Sequence, residues 1–593
     1  MSLRMTSAAA ASAVGLAVVV ATACGDGRSR FGGPDTFGVP DAGDAGDCKF
    51  QCSLDGRSVV QSCTGEVVET CSPELACGAG RCLEPCAAAG AEQSSNGCEF
   101  YFQSPGTWSD APDNCYATFV VNTSTQPANV SLEREGKALD LAKAMFRTDP
   151  GDATLIPHTG PIPPGKSVIL FVSDHDPDKP LSGNDYVACP DGVVPAVLSG
   201  LAPPRTEIGS SYHLTSTMPV SLAAMYPFGG AASFLPTATL LLPVVTWAKQ
   251  HIVVNPWEGG SGMTTQIVAS EDETEVTILP TNEVQNGTGV KGTPAKVPAT
   301  YRLGKGQILQ FVQSSDLSGS IVASNKPTTV FGGHLCANIP TTGGACDSLH
   351  QQIPAFEQWG SEYATVGYRP RTGSEHEAMP YRIVAARDGT KLDYDPAIPA
   401  GAPTELSAGQ SVTFPAGVAD AFVVRTQDAE HPIYVAAYMT GFEGRYFGSP
   451  PTGQWGDPEF VNVIPAGQYL NAYSFYADPS YPETSLVIVR AKTGGVFKDV
   501  WLECAGNLTT WMPVGTRGEY EFTRVDLSRN FQPGDTFGEG DAATVCRTGL
   551  QRMRSEGPFT ATLWGWDAWA SYAYPGGTAM RKLVETPLVP VVN

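Results

Sequence analysis

Two stretches of this chain hold residue types that could bind a metal ion. Asp174, Asp176 and Asp178 alternate in SDHDPDKPLSGND, and Asp185 falls at the twelfth place of the same run. Calcium takes roughly six to eight oxygen ligands, and alternating acids on one loop can supply several of them. The sixth place is Lys179 rather than glycine, and Pro177 and Pro180 interrupt the run, so a solvated acidic loop is the plainer reading. A calcium ion held here would be structural. His334 and His350 flank Cys336 and Cys346, with Asp347 beside them. They form a second metal candidate, against the alternative that they pack around a disulfide hairpin.

Aromatic residues offer another chemistry. In TATLWGWDAWASY, strand alternation places Trp564 and Trp566 on one face, with Trp569 just beyond. An exposed pair of rings can stack on the C–H faces of a sugar, whereas a buried pair fills a core. The acids Glu271, Asp272, Glu273 and Glu275 read as a hairpin turn, since nothing around them would raise one carboxyl for acid–base work. There is no G-x-S-x-G elbow, H-E-x-x-H pair or strand-borne G-x-G-x-x-G. The eight histidines are scattered. No catalytic residue is therefore named, and no cofactor is expected apart from that structural calcium.

The start of the chain predicts where these residues work. Residues 1–23 read as an export signal, with one charge at Arg4, an apolar run from Ala8 to Ala21, and small residues before Cys24. Ala21-Thr22-Ala23-Cys24-Gly25 resembles a bacterial lipobox, which predicts lipid on Cys24. The alternative is an ordinary signal cut at Ala23. Gly25 after the cysteine favours the outer membrane. Residues 24–47 are rich in Gly and Asp, with too few large apolar groups to offset chain entropy, and predict a disordered tether. No later segment is apolar enough to span a membrane. The net charge of −23 and pI near 4.7 argue against nucleic acid or anionic lipid as partners.

There are 15 cysteines, and setting Cys24 aside leaves an even number, as an oxidising compartment favours. Eight of them, from Cys48 to Cys98, predict a small disulfide module over 48–97 whose pairing the sequence leaves open. Their spacing lacks two C-x2-C pairs, which argues against zinc. Proximity suggests Cys336–Cys346 and Cys504–Cys546, with Cys115–Cys189 left over.

The elements that must position all these residues are short alternating strands joined by Gly, Pro, Asp and Ser turns, so the fold class is all-β. A pattern recurs about every 110 residues: Pro243 to Trp247, Pro354 to Trp359 and Pro465 to Tyr469. Four residues after each aromatic comes His251, Tyr363 or Tyr473. Each unit closes on a related strand pair: SGSIVASNKPTTVFGG, AFVVRTQDAEHPIYVAAYM, RMRSEGPFTATLWGW and the earlier SYHLTSTMPVSLAAMYP. The body from 98 to 580 thus predicts about four internal repeats, the first degraded, followed by a tail over 581–593. Copies of this size suit a propeller-like ring of paired blades or tandem β-sandwiches, and the absence of linkers between copies favours the ring.

Several stretches together resemble the N-terminal domain of the IgGFc-binding protein family. They are GSSYHLTSTMPVSLAAMYPF, QIVASEDETEVTILP, GSIVASNKPTTVFGGHLCANIP, ACDSLHQQIPAFEQWGSEY and the Asp-Gly-Thr strand pair near 388–390. The likeness is strongest over about 200–445, and the Cys-rich start is similar to that of bacterial surface lipoproteins in the family. The resemblance implies an extracellular binding or adhesion module rather than an enzyme. It carries no binding residue over and does not imply antibody binding by this chain. The expectation is a lipid-anchored surface protein recognising an extracellular protein or glycan. A glycoside hydrolase or lyase needs two converging carboxylates in a cavity, and a self-assembling envelope component is the third reading.

Overall fold

A computed structural model describes residues 48–588 apart from 107–112, 181–185, 201–203, 234, 260–261, 345, 375 and 442–453. Strands run through the whole described chain, with one α-helix, Pro85–Glu92, and five short 3-10 turns. The chain is all-β, as its alternation predicts.

One pairing scheme recurs along the body. A long strand, Tyr212–Tyr226, pairs through its first half with Gly97–Phe102 and Val130–Arg134. Its second half pairs with Tyr116–Asn122 and Thr237–Leu241. Ile321–Ala337 does the same with Ala248–Ile252 and Thr274–Leu279, then with Met263–Ala269 and Asp347–Ile353. Gly549–Asp567 follows with Leu470–Ala477 and Val500–Leu502, then Glu483–Ala491 and Ala570–Pro575. In the third stretch the long strand is divided. Phe422–Thr426 pairs Glu362–Thr365 and Thr390–Asp395, and Ile433–Met439 pairs Tyr381–Ala385 and Glu459–Asn462.

Each long strand changes sheet at a proline: Pro219, Pro327, Pro432 or Pro558. Proline has no N–H to give a ladder, so pairing lapses there and the chain turns. The ladder register slips between Thr215 and Val220 in the first stretch and opposite Leu470 and Ala472 in the fourth. The residues four past each periodic aromatic fasten these bends. The Tyr363 hydroxyl donates to the Ile433 carbonyl at 2.5 Å, and that of Tyr473 to the Phe559 carbonyl at 2.5 Å. His251 reaches the Thr328 hydroxyl at 3.2 Å.

The result is a set of curved half-barrel sheets, two layers sharing one bent strand. Burial follows from this. Met263–Ala269, covered on both faces, is buried at every position, whereas Thr274–Leu279 alternates buried and half-buried. The inner strands Thr237–Leu241, Asp347–Ile353, Glu459–Asn462 and Ala570–Pro575 converge. The first and the third each touch the second and the fourth. Polar side chains bind them where no ladder does: the Gln351 amide donates to the carbonyls of Ala238 (2.7 Å) and Phe460 (2.9 Å), and Asn462 to that of Gln352 (2.9 Å). A closed propeller of four-stranded blades, the arrangement favoured from the sequence, is not present among the described residues.

The cysteine module is joined by Cys48–Cys63, Cys52–Cys77, Cys71–Cys82 and Cys86–Cys98. Its helix packs against the bend of the first long strand, where Cys86 Sγ lies 3.8 Å from the Ser216 and Thr217 carbonyls. The C-terminal segment returns to the same end: Leu583 N–H donates to the Glu357 carbonyl at 2.7 Å, and Gln250 and Leu588 exchange two hydrogen bonds.

Candidate binding face

Strand direction divides the body into two ends. First halves of the long strands run toward the proline bends, and second halves run back. The bends, the cysteine module and the C-terminal segment therefore share one end. The opposite end collects the described segments that follow the long strands (227–233, 235–236, 338–344, 454–458 and 568–569) and those that precede the second strand of each unit (103–106, 253–259, 366–374 and 478–482). Loops clustered at one end of a rigid β scaffold are the usual place for recognition.

One ion pair organises this face. Arg371 and Glu377 are both buried, with Nε and Oε1 2.6 Å apart. The same guanidinium donates to the Thr440 carbonyl at 2.7 Å, the Trp455 carbonyl at 3.0 Å and the Thr440 hydroxyl at 2.8 Å. Tyr368 donates to Glu377 at 2.9 Å. A single side chain thus ties segment 366–374 to both Thr440 and Trp455. Nothing in the spacing of these residues marks them in the sequence.

Beneath the loops, the ends of the inner strands hold acids sealed from solvent. Glu459 accepts from the Thr237 hydroxyl (3.1 Å) and from the N–H groups of Phe460 (2.8 Å), Ala573 (3.3 Å) and Ala238 (3.4 Å). Burial still holds its carboxyl well above the usual range, against the pull of those donors. Burial raises Asp347 strongly too, with the charges of Asp457 and Glu459 adding to it. Asp478 is pushed up to about 6 by burial. Asp347, Glu459 and Asp478 are fully buried, so as placed they cannot exchange protons with a bound substrate.

The residues singled out from sequence divide sharply. Trp564 and Trp566 do share a face, but the face is internal and each is 1% exposed. Trp564 packs on Tyr368 at 4.9 Å between ring centroids, and the Arg369 guanidinium lies 4.9 Å from the Trp566 ring. Sugar stacking on this pair is therefore ruled out by burial. Trp569 is the exposed member of the cluster, at 49%, held with φ +53° in the tight turn that joins Gly549–Asp567 to Ala570–Pro575.

The calcium candidates are placed in part. Asp174 Oδ1 accepts from the His175 N–H (2.8 Å) and the Tyr186 hydroxyl (2.7 Å), and its Oδ2 from the Cys189 N–H (2.9 Å). Asp176 caps the Asp178 N–H at 3.0 Å, and Asp185 lies outside the described residues. No group of three or more His, Cys, Asp or Glu is placed to hold a metal among the described residues. The carboxylate of Asp174 is committed to protein donors instead.

His334 Nε2 bonds the Gly259 carbonyl at 2.7 Å while Nδ1 accepts the Cys336 N–H at 3.0 Å. His350 stacks on Phe331 at 4.8 Å and bonds Gln266 at 2.8 Å, and burial pushes it down to about 3. Each imidazole is thus occupied separately. The chain joins Cys115–Cys189, Cys336–Cys346 and Cys504–Cys546. Glu271 to Glu273 form the turn between Met263–Ala269 and Thr274–Leu279. Cys24 lies outside the described residues.

Comparison with known proteins fits this geometry. The family model for IgGFc binding protein matches residues 237–565, more than half of the chain. The chain belongs to the IgGFc binding protein family. The match opens at the first inner strand and closes within the last long strand, so the stretch 97–236 lies outside it while sharing its pairing scheme. The human IgGFc-binding protein is 27% identical over 296 residues, which is 49% of this chain and 5% of that protein. The chain thus corresponds to a small part of that relative's length. No solved structure matches. The family is one of binding proteins, in keeping with a chain whose inner acids are sealed.

Proposed function

We propose that this member of the family is a non-enzymatic, lipid-anchored surface protein that presents its loop end to an extracellular protein. The observation that carries the reading is the separation of the two ends. The cysteine module, which the expected tether would join to Cys24, packs at the proline bends, and the clustered loops face the other way. An anchor at Cys24, in the outer membrane, would hold the loop end outward. We read the four recurrences of the pairing scheme as copies of one unit closing around the inner strands, a rigid frame that costs little entropy when a ligand binds. The name of the family points to the Fc part of immunoglobulin as a first probe, with glycans and other secreted proteins as alternatives.

Two measurements test this reading. Replacing Cys24 with Ala should move the protein from the membrane to the soluble fraction and abolish incorporation of labelled fatty acid. Unchanged membrane recovery would sink the anchor. Purified protein should retain an extracellular protein, with Fc tried first, and Trp569→Ala should weaken retention by about tenfold if the exposed ring is an anchor residue. A loop end that captures no secreted or surface protein from the native environment would end the binding reading.

A further inference from the structure

A second exposed aromatic stands apart from the inner strands. Phe531 is 63% exposed and has φ +60°, next to Asn530 at +49°. Arg529 pairs with Gln532, so Asn530 and Phe531 are the two-residue loop of a hairpin with positive φ at both places. Such loops favour glycine at the second place. A side chain there is strained, and an exposed ring recovers nothing by burial. The tip is nevertheless fixed: Phe531 N–H donates to the Pro482 carbonyl at 3.1 Å and Asn530 N–H to Glu483 at 2.8 Å. A strained residue that the surrounding structure holds in place is a pointer to function.

The ring borders a cleft of about 380 Å³ between the first and last units of the body. Gly151 and Asp152 line it on one side, and Ser480, Tyr481 and Arg547 on the other. Gly151 packs against the Arg547 stem, where a Cβ would come within 3.3 Å of it. The exposed Arg547 guanidinium makes no ion pair among the described residues, although Asp152 lines the same cleft. The Asp152 carboxylate is fixed by the Thr154 N–H at 2.8 Å. The cleft thus combines one aromatic face, one acceptor carboxylate and one multi-donor guanidinium, with opposite charges that balance.

We propose that this cleft binds a neutral pyranoside, its C–H face on Phe531 and its hydroxyls shared between Asp152 and Arg547. Hydroxyls both donate and accept, which suits that pair, and the volume lies in the range of small-ligand pockets. Ser480 and Tyr481 belong to the loop end, yet saccharide binding is read apart from capture of a protein, so the two readings fail separately. It also offers only one acid, so it binds without the carboxylate pair that hydrolysis needs.

The test titrates the full chain with methyl β-galactoside, methyl α-mannoside and methyl β-N-acetylglucosaminide. At least one should saturate at a single site. Phe531→Gly should weaken that binding about tenfold or more while leaving Tm unchanged or higher, because glycine relieves the positive φ. Phe531→Trp should retain binding and report it as a change in tryptophan emission, and Arg547→Gln should weaken it. Failure of all three probes to saturate, or unaltered binding by Phe531→Gly, would overturn the proposal.

Discussion

The cysteine module and the third unit of the body are built on opposite principles. Between Cys48 and Cys98 the buried apolar side chains amount to Val59, Val60, Cys77, Pro85, Ala88 and Ala89, and Val67–Thr70 is exposed at every position. Four disulfides close that stretch. Between Glu362 and Asn462 there is no cysteine, and Tyr363, Tyr368, Tyr381, Phe422, Val424 and Tyr438 lie among many buried groups. A short chain cannot remove enough apolar surface from water, so it restricts its unfolded state covalently; a longer one lets burial do this work. The difference also says where polar groups can go. Only the packed unit has an interior dry enough to make a pair such as Arg371–Glu377 matter.

The largest expected effect separates the two directly. The module's bridges close loops with sequence separations of 11 to 25 residues, each worth about 3 kcal/mol. Reduction under otherwise native conditions should strip amide-exchange protection from residues 48–98 while 362–462 stays protected. Module protection that survives reductant would mean that the module draws its stability from packing on the body instead.

The next effect falls on the packed unit. Arg371→Ala leaves Glu377 charged and buried, and should cost about 3–5 kcal/mol, with protection lost at Thr440 and Trp455. The double change Arg371→Met with Glu377→Leu should recover much of that stability, since two apolar groups leave no charge stranded. A double variant as unstable as the single one would show that the hydrogen bonds to Thr440 and Trp455, rather than the charge, hold the face together.

Much of this was legible in the sequence, for identifiable reasons. Alternation fixed the strand class, whereas the prolines where each long strand leaves its sheet stood unmarked among the turn prolines. The periodic His251, Tyr363 and Tyr473 were visible as a spacing, although only the structure reveals them as fasteners of the bends. Facing was not legible. Alternation put Trp564 and Trp566 on one side but could not say which side a second layer covers, and the neighbouring Trp569 is the exposed ring. Likewise Asp174 of SDHDPDK looked free in sequence because its partners, Tyr186 and the Cys189 N–H, reach it only when the chain folds back 12 and 15 residues later.

The smallest effect contrasts the two regions by acidity. Asp478 in the body is held at about 6 by burial, against an ordinary 3.8, with Oδ1 accepting the Ser480 N–H at 2.9 Å. Below about pH 4 the group is protonated whether the chain is folded or not. As pH rises to 6 the unfolded chain gives up the proton while the folded chain keeps it, so stability falls by up to about 3 kcal/mol and then levels. Asp347 and Glu459, also raised, slope in the same direction. Asp55 in the module has the opposite sign. The Ser53 hydroxyl, donating at 2.6 Å, holds its carboxyl below the ordinary range, so its contribution is present above about pH 4 and lost as pH drops further. Exchange protection should therefore strengthen in the module as pH rises from 3 to about 4, and weaken in the fourth unit of the body between about pH 4 and 6. Asp478→Asn should flatten the body's slope between pH 4 and 6 without touching the module's. A body whose protection rises across that interval would mean that Asp478 is ionised in the folded chain, and that the interior around it is wetter than its burial implies.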